Sequence, residues 1–365
     1  MHCHLVIPHL FWPASADDPG APSPWQDLHL PFVERLLARA RLEVTEHAPL
    51  HVWAASQFGL DPETLALAPW RLRGEGLDPG EATWVCLDPL HLQAGARQLM
   101  RSANPLSSLT PIEAEQIVAT LNAHLAHDGI EIVAPHPYRW YARCASADFR
   151  AAAPPIAGDA LAETGLPQGP DGARWRRLLT EVQMILHSHP VNEAREARNA
   201  SVLNALWAWG VGRACPLPAR KPEQWISDDP ILRGLALGSA AQVAPTRPGA
   251  AAEAAVAGAA SSASAMPASL ESSIRVQWLH DDGPARAVEA GDAGAWRSAL
   301  AALDAGAVKQ RLEALRSGAI GMLTLHAIGP AESLKAELTR HDLRRFWRRL
   351  RPLKTYLAAH EADSR

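Results

Sequence analysis

Apolar residues in the first half of the chain fall into short runs and longer helical repeats. The runs at 4–8, 84–87 and 130–133 have the length of buried strands. Apolar residues at 31–42 have helical spacing, and so do those that follow Thr110. Thr110 is the first residue of a capping-box signature, which marks the start of a helix. This alternation of strands and helices predicts an α/β protein built around a sheet.

The middle of the chain continues the same alternation. Residues 138–144 are predicted to form an edge strand. A long helix is predicted from Asp171 to about His187, because Pro190 disfavours helical backbone in the residue before it. The apolar run 203–209 is predicted to be a strand that leads into a pair of glycines.

Ala, Gly, Ser and Pro dominate the sequence from 242 to 272. Such a composition buries little apolar surface, which predicts a flexible linker. The linker separates an α/β domain at 1–241 from a C-terminal α+β segment at 273–356, which we expect to pack on the same body. Within that segment we predict a strand at 274–279, a helix at 295–316, a hairpin of 320–327 with 333–338, and a last helix capped by Thr339 and Asp342.

The composition is that of an ordinary globular protein, since 47% of the 365 residues are hydrophobic. The formal net charge of −4 gives no overall attraction to nucleic acid or anionic membranes, so any anion binding must be local. The four cysteines form no C-x-x-C pair, which argues against structural zinc. No run of about 20 apolar residues is present to span a bilayer. We expect a cytoplasmic protein with reduced thiols.

Polar residues cluster where the long predicted helix ends, at His187, His189, Asn192 and Arg195. In one interpretation this cluster and the glycine pair form an anion-binding crevice, in which the guanidinium of Arg195 grips a phosphate or carboxylate. In the other, the same side chains form a buried polar network that fastens the helix to the strand 203–209. The sequence leaves both interpretations open.

A carboxylate and an imidazole, Asp88 and His91, follow the predicted strand 84–87 directly. Open α/β sheets place ligands at the carboxyl ends of their strands, so the two side chains could hold a metal or work as an acid–base pair. The alternative is a turn, in which Asp88 accepts hydrogen bonds from backbone amides.

Several motifs resemble those of known families. The segment 189–195, together with Asn204 and the Gly-x-Gly at 210–212, resembles the archaeal-type cofactor-independent phosphoglycerate mutases of the alkaline-phosphatase-like superfamily. With 166–172 upstream and 346–349 downstream, most of the chain is similar to bacterial regulatory proteins of the RpfE type. The resemblance implies an alkaline-phosphatase-like mixed sheet flanked by helices, with the low-complexity connection before the C-terminal segment.

The chain departs from the mutase pattern in its catalytic residues. It has no N-terminal Asp-Gly and no late Asp-His-Gly, and Trp209 stands where the mutases have an arginine. A two-metal phosphotransferase needs ligands for both cations. We therefore predict no metal site and no cofactor; an active enzyme would require Mn²⁺, Zn²⁺ or Mg²⁺.

The preferred hypothesis is a cytoplasmic regulatory protein that binds a small phosphorylated or carboxylate ligand in one crevice. The candidate catalytic residues are Asp88, His91 and His189. The candidate ligand-binding residues are His9, Gln93, His187, Asn192, Arg195, Asn204, Gly210 and Gly212. The alternative is an active phosphoglycerate mutase or a related metal-dependent phosphotransferase.

A third hypothesis rests on the basic C-terminal sequence, in which Arg344, Arg345, Arg348 and Arg349 are predicted to lie along one helix beside aromatic residues. Arginines next to aromatics suit phosphate backbones and stacked bases. This helix could make the chain an adaptor for nucleic acid or for a nuclease such as a RecJ-type exonuclease. The competing interpretation is a solvated basic face whose apolar side docks on the body.

Overall fold

The structure is a computed structural model that describes residues 1–13, 23–46, 48–61, 65–95, 99–102, 109–154, 165–220, 223–246, 274–329 and 332–356. The strands are β1 (His2–Pro8), β2 (Arg41–Glu46), β3 (Thr83–Leu90), β4 (Leu92–Ala94), β5 (Leu99–Arg101), β6 (Glu131–His136), β7 (Arg139–Cys144), β8 (Ala205–Gly212), β9 (Glu223–Ile226), β10 (Gln242–Ala244), β11 (Val276–His280), β12 (Met322–Ile328) and β13 (Glu332–Thr339).

The helices are α1 (Pro31–Arg39), α2 (Leu50–Gln57), α3 (Leu67–Gly74), α4 (Pro111–Leu125), α5 (Gly172–His187), α6 (Pro190–Ala197), α7 (Pro230–Gly238), α8 (Gly283–Glu289), α9 (Ala293–Leu303) and α10 (Lys309–Ser317). A π-helical turn at Asp304–Val308 joins α9 to α10. Short 3₁₀ turns occupy Ala126–Asp128 and Asp342–Arg344. No helix within the described ranges is long and apolar enough to cross a membrane.

The larger of the two main sheets has the strand order β10-β9-β11-β1-β12-β13-β2. Its first five strands run parallel, and β13 and β2 are antiparallel to their neighbours. The large sheet is therefore mixed and includes strands from both ends of the chain. The carboxyl ends of its five parallel strands meet along one edge.

The smaller main sheet has the order β6-β7-β3-β8, and every pairing in it is antiparallel. Strand β7 lies between two partners, so the prediction of an edge strand at 138–144 is wrong. Strand β3 runs through Asp88 and Pro89 to Leu90, and it does not turn after residue 87. Leu87 and Asp88 both lie opposite β8, and the backbone stays extended there.

Three hydrophobic cores stack the elements into layers. Helices α1, α8, α9 and α10 pack on the outer face of the large sheet. Helices α2, α3 and α7 lie between the two sheets and share a core with both of them. Helices α4, α5 and α6 cover the outer face of the small sheet. Helices therefore flank both sheets, and the larger sheet is mixed. This arrangement confirms the predicted α/β class with a mixed sheet flanked by helices.

A row of stacked rings crosses the middle-layer face of the large sheet. His4 stacks on Trp278 with centroids 3.7 Å apart, and Trp278 stacks on Trp225 at 4.7 Å. The row follows from strand register, because these three positions face one another on β1, β11 and β9. At its end, His4 Nδ1 lies 3.0 Å from His326 Nε2.

Local sequence signals account for several helix ends. Thr110 and Glu113 form the predicted capping box on α4, each side chain bonding the other's backbone amide. Helix α5 spans the predicted range almost residue for residue. The helix predicted at 31–42 ends earlier, at Arg39, because Arg41–Glu46 alternates in the strand period and pairs with β13 as β2.

Two predictions for the C-terminal half require correction. The predicted linker begins inside a strand, since Gln242–Ala244 pairs with β9; residues 247–273 lie outside the described ranges. The predicted last helix is wrong. Thr339 and Asp342 do bond as expected, but helical structure stops after one 3₁₀ turn at Arg344. Phe346, Trp347 and Leu350 are exposed, so this part of the chain buries too little apolar surface to stabilise a longer helix.

Candidate functional site

The predicted polar cluster around residue 190 makes structural hydrogen bonds. The Asn192 amide donates to the carbonyls of Leu186 and Leu203, at 2.7 and 2.6 Å, and accepts from the Leu203 amide at 2.9 Å. Asn192 is only 4% exposed. These bonds tie α5 and α6 to the segment that enters β8, which is the fastening role left open by the sequence.

Two of the three ionisable members of the cluster are also engaged. Arg195 has no exposed surface; its Nε donates to the Ser201 carbonyl at 2.8 Å and its Nη1 pairs with Glu113 at 3.0 Å. His189 caps α6, accepting from the Val191 amide. Burial lowers the pKa of His189. His187 ends α5 and is exposed.

Asp88 forms a buried ion pair between the two sheets. Its Oδ1 accepts from Arg71 Nη1 at 2.6 Å, and its Oδ2 accepts from Trp209 Nε1 at 2.8 Å. Burial opposes the charge on Arg71, but Asp88, together with smaller contributions from Tyr141 and Cys86, raises the pKa of Arg71 overall. Asp88 faces the middle layer, whereas Asn192 and Arg195 pack on the opposite side of the small sheet. The structure does not bring them together.

The other predicted ligand residues are dispersed. His91 Nδ1 lies 2.8 Å from the Val202 carbonyl. The side chain of Asn204 accepts from the Leu92 amide and donates to the Leu92 carbonyl. Gln93 is exposed on β4. His9 follows β1 at the carboxyl edge of the large sheet.

The glycine pair allows close packing of a helix. Gly210 and Gly212 lie inside β8 with φ of +63° and +145°. A Cβ on Gly212 would lie 2.5 Å from that of Ala66, and a Cβ on Gly210 would lie 3.2 Å from that of Leu67. Glycine is therefore needed here for backbone conformation and for the approach of α3.

The carboxyl edge of the large sheet carries a second set of polar side chains, which we name the acidic edge. It consists of Ser227, Asp229, His280, Asp281 and Asp282, which end or follow β9 and β11. His280 is buried, with Nδ1 3.1 Å from Ser227 Oγ. Its Nε2 has no hydrogen-bond partner in the part of the chain that is described. Such strand ends are the usual ligand position in parallel sheets.

Carboxylates crowd the acidic edge and its surroundings. Burial raises the pKa of Asp282, and the negative charges of Asp229 and Asp281 raise it further. Arg286 and His280 lower this pKa and so oppose the effect of burial. Burial also lowers the pKa of His51, on α2, to about 4, although Asp229 opposes this. Negative charge at the edge therefore disfavours an unaccompanied anion.

The acidic edge does not fit the two-metal centre that the mutase resemblance implies. Asp229 accepts from the Leu232 amide as the cap of α7, and Asp281 accepts from the Gly283 amide. In the described portion, no three His, Cys, Asp or Glu side chains are grouped closely enough to hold a metal ion.

A cleft of about 520 Å³ opens in the outer helical layer between α1, α10 and the residues after β13; we name it the basic cleft. Its apolar lining is Phe32, Leu312 and Leu343. Glu313 also lines it, together with six cationic side chains: Arg35, Arg39, Lys309, Arg316, Arg340 and Arg344.

None of these six cations forms an ion pair with an acidic side chain that the structure describes. Arg35 and Lys309 each lie 5.7 Å from the centre of the Phe32 ring. Arg39 Nη1 donates to the Leu343 carbonyl at 2.8 Å, while its buried Nε has no partner among the described atoms. Burial lowers the pKa of Arg39, and the charge of Arg35 lowers it further.

Sequence reasoning anticipated Arg344 as part of a basic surface but missed the cleft. Its cations come from three separate segments of the chain, and no local run of basic residues indicates that they lie together. Of the other predicted basic residues, Arg345 pairs with Asp342 at 2.7 Å and Arg348 donates to the Ala40 carbonyl at 2.9 Å. Arg349 is exposed.

Two solved structures match this chain at low sequence identity. Cofactor-independent phosphoglycerate mutase from Thermoplasma acidophilum DSM 1728 is 15% identical, with a TM-score of 0.47 over 97% of this chain and 94% of that one. The PH0037 protein from Pyrococcus horikoshii is 14% identical, with a TM-score of 0.53 over 93% and 87%. No protein-family profile and no curated protein sequence matches. At this level of identity, the likeness to the PH0037 protein shows a shared fold alone.

Proposed function

We propose that this chain binds a phosphorylated or carboxylate ligand without transforming it, and that the basic cleft is the anion site. The observation that carries the proposal is the cleft's six cations without acidic partners. Six like charges around one cavity repel one another, although the chain as a whole has a net charge of −4. An anion in the cleft would relieve this repulsion, and converging arginines are well suited to phosphate and carboxylate.

The volume of the cleft agrees with this assignment. Small-molecule sites usually enclose about 300–1,000 Å³, and the cleft holds about 520 Å³. The engaged side chains of Asn192 and Arg195 favour a fastening role for the cluster near residue 190. Under this proposal the chain acts as a cytoplasmic regulatory protein, which is the role that the sequence resemblance to the RpfE-type proteins led us to expect.

Calorimetric titration with inorganic phosphate and with 3-phosphoglycerate tests the proposal. The double variant Arg316→Gln/Arg340→Gln removes two exposed charges from the cleft. The matched control, Arg143→Gln/Arg177→Gln, removes two exposed arginines that lie outside the cleft, on β7 and α5. We expect binding to weaken at least tenfold in the cleft variant and to persist in the control. Equal binding by both variants would contradict the proposal.

A phosphotransfer enzyme is the second candidate, and it rests on the 3.1 Å contact between Ser227 Oγ and His280 Nδ1. A hydroxyl beside an imidazole at a strand end is the arrangement of an activated nucleophile. The test is isomerisation of 3-phosphoglycerate in the presence of Mn²⁺, Mg²⁺ or Zn²⁺, with metal analysis of the purified protein. Turnover that is lost in Ser227→Ala would establish this candidate and overturn the non-catalytic proposal.

A further inference from the structure

Two aromatic rings beside the basic cleft point into solvent. Phe346 is 82% exposed and Trp347 is 67% exposed. Their ring centroids lie 5.5 Å apart and their planes are nearly perpendicular. Large aromatic side chains are usually buried, so an exposed adjacent pair indicates a contact surface.

Hydrogen bonds fix the backbone that carries these rings. Arg345 on one side pairs with Asp342, and Arg348 on the other donates to the Ala40 carbonyl at the end of α1. Arg39, the residue before Ala40, lines the cleft. The two rings therefore stand on the rim of the cleft, on a segment anchored to one of its walls.

Positive charge continues from the cleft past the rings. Arg344 lines the cleft and lies just before them in sequence. The exposed cations that follow are Arg348, Arg349, Arg351 and Lys354. None of these four forms an ion pair within the described ranges. Cations and rings therefore follow one another along one largely exposed segment that begins at the cleft, and we treat this segment and the cleft as one surface.

We propose that this surface binds single-stranded nucleic acid, with phosphates in the basic cleft and bases stacked on Phe346 and Trp347. The inference rests on the proposed function, because it takes the cleft as the anion site. Cationic grooves with exposed rings are the general means by which proteins hold single strands. A duplex keeps its bases stacked on one another and offers no free base faces to the two rings.

The binding that follows from this surface is independent of sequence and sensitive to salt. The cations contact phosphates, which carry no sequence information, and every base has a face that can stack. For single strands, the logarithm of the binding constant falls with the logarithm of salt concentration by about 0.7 for each neutralised phosphate.

Fluorescence anisotropy with labelled oligothymidine of about 15 nucleotides tests the inference on the full chain. Between about 50 and about 300 mM NaCl, Arg316→Gln/Arg340→Gln should reduce the salt slope by about 1.4, which corresponds to two lost phosphate contacts. Phe346→Ala/Trp347→Ala should weaken binding by about 5- to 150-fold for each stacked base and leave the salt slope unchanged. The control Arg143→Gln/Arg177→Gln should bind as the parent does.

Three results would overturn the inference: no binding of oligothymidine to the parent, unchanged affinity in Phe346→Ala/Trp347→Ala, or duplex DNA bound as tightly as the single strand. Equal competition by thymidine monophosphate would also overturn it, because the cleft would then serve a small ligand. Phosphate titration separates this failure from that of the proposed function. If phosphate binds and depends on Arg316 and Arg340 while oligothymidine does not bind, the anion site stands and the nucleic-acid inference falls.

Discussion

Replacing Asn192 by alanine separates the two roles that its cluster could play. The buried side chain makes three hydrogen bonds of 2.6–2.9 Å to the backbone of Leu186 and Leu203. Alanine would leave the carbonyl and the amide of Leu203 buried without partners and would remove one of the hydrogen bonds to the Leu186 carbonyl, which also accepts from the His189 amide. Each net hydrogen bond contributes about 1 kcal/mol, and each unsatisfied buried group costs about 1–3 kcal/mol. We therefore expect the free energy of unfolding to fall by about 3–5 kcal/mol.

Urea denaturation followed by tryptophan fluorescence measures this loss. Glu193→Ala is the matched control, because Glu193 is the exposed neighbour of Asn192 on α6. Exposed substitutions usually change stability by less than about 0.5 kcal/mol. If the fastening role is right, the urea concentration at the unfolding midpoint is lower for Asn192→Ala than for the parent and is unchanged for the control.

The opposite pattern would refute this reasoning. An Asn192→Ala protein of unchanged stability that no longer binds phosphate would show that Asn192 contacts a ligand. The anion site would then belong to the cluster near residue 190 and the basic cleft would lose its assignment.

Three further substitutions test other parts of the structure. Asp88→Ala leaves Arg71 buried without its carboxylate, so it should lower stability by about 3–5 kcal/mol in urea denaturation; a loss below about 1 kcal/mol would refute the buried pair. Gly212→Ala forces a Cβ to within 2.5 Å of that of Ala66. We expect the free energy of unfolding to fall by about 2 kcal/mol, which lowers the melting temperature. Burial lowers the pKa of His326 to about 4, whereas an unfolded histidine titrates near 6.5. The neutral ring therefore adds stability above about pH 6.5 that is lost as the pH falls towards 4. His326→Gln should flatten the fall in melting temperature over this window, and an equally steep fall would count against the assignment.

Strong local signals allowed much of the fold to be predicted. The capping box at Thr110 and the apolar face of α5 required no tertiary information, because capping and helical periodicity are set within a few residues. Elements whose identity depends on partners were missed. Strand β2 exists because β13 pairs with it, and β9 is too short and too polar for its pattern to be recognised.

The candidate site was harder to predict than the fold. Asp88 was identified as a candidate site residue that directly follows a buried strand, but its partner Arg71 lies on α3, a helix that no local pattern predicted. The basic cleft brings together α1, α10 and the turn after β13. Residues that meet only through tertiary packing leave no spacing that sequence inspection can detect.

Tungstate soaked into crystals of the protein tests the location of the anion site most directly, since tungsten marks its position by anomalous scattering. The account predicts a peak in the basic cleft, within hydrogen-bond reach of Arg39 and its cationic neighbours. A peak at the acidic edge or beside Arg195, with the cleft empty, would contradict it.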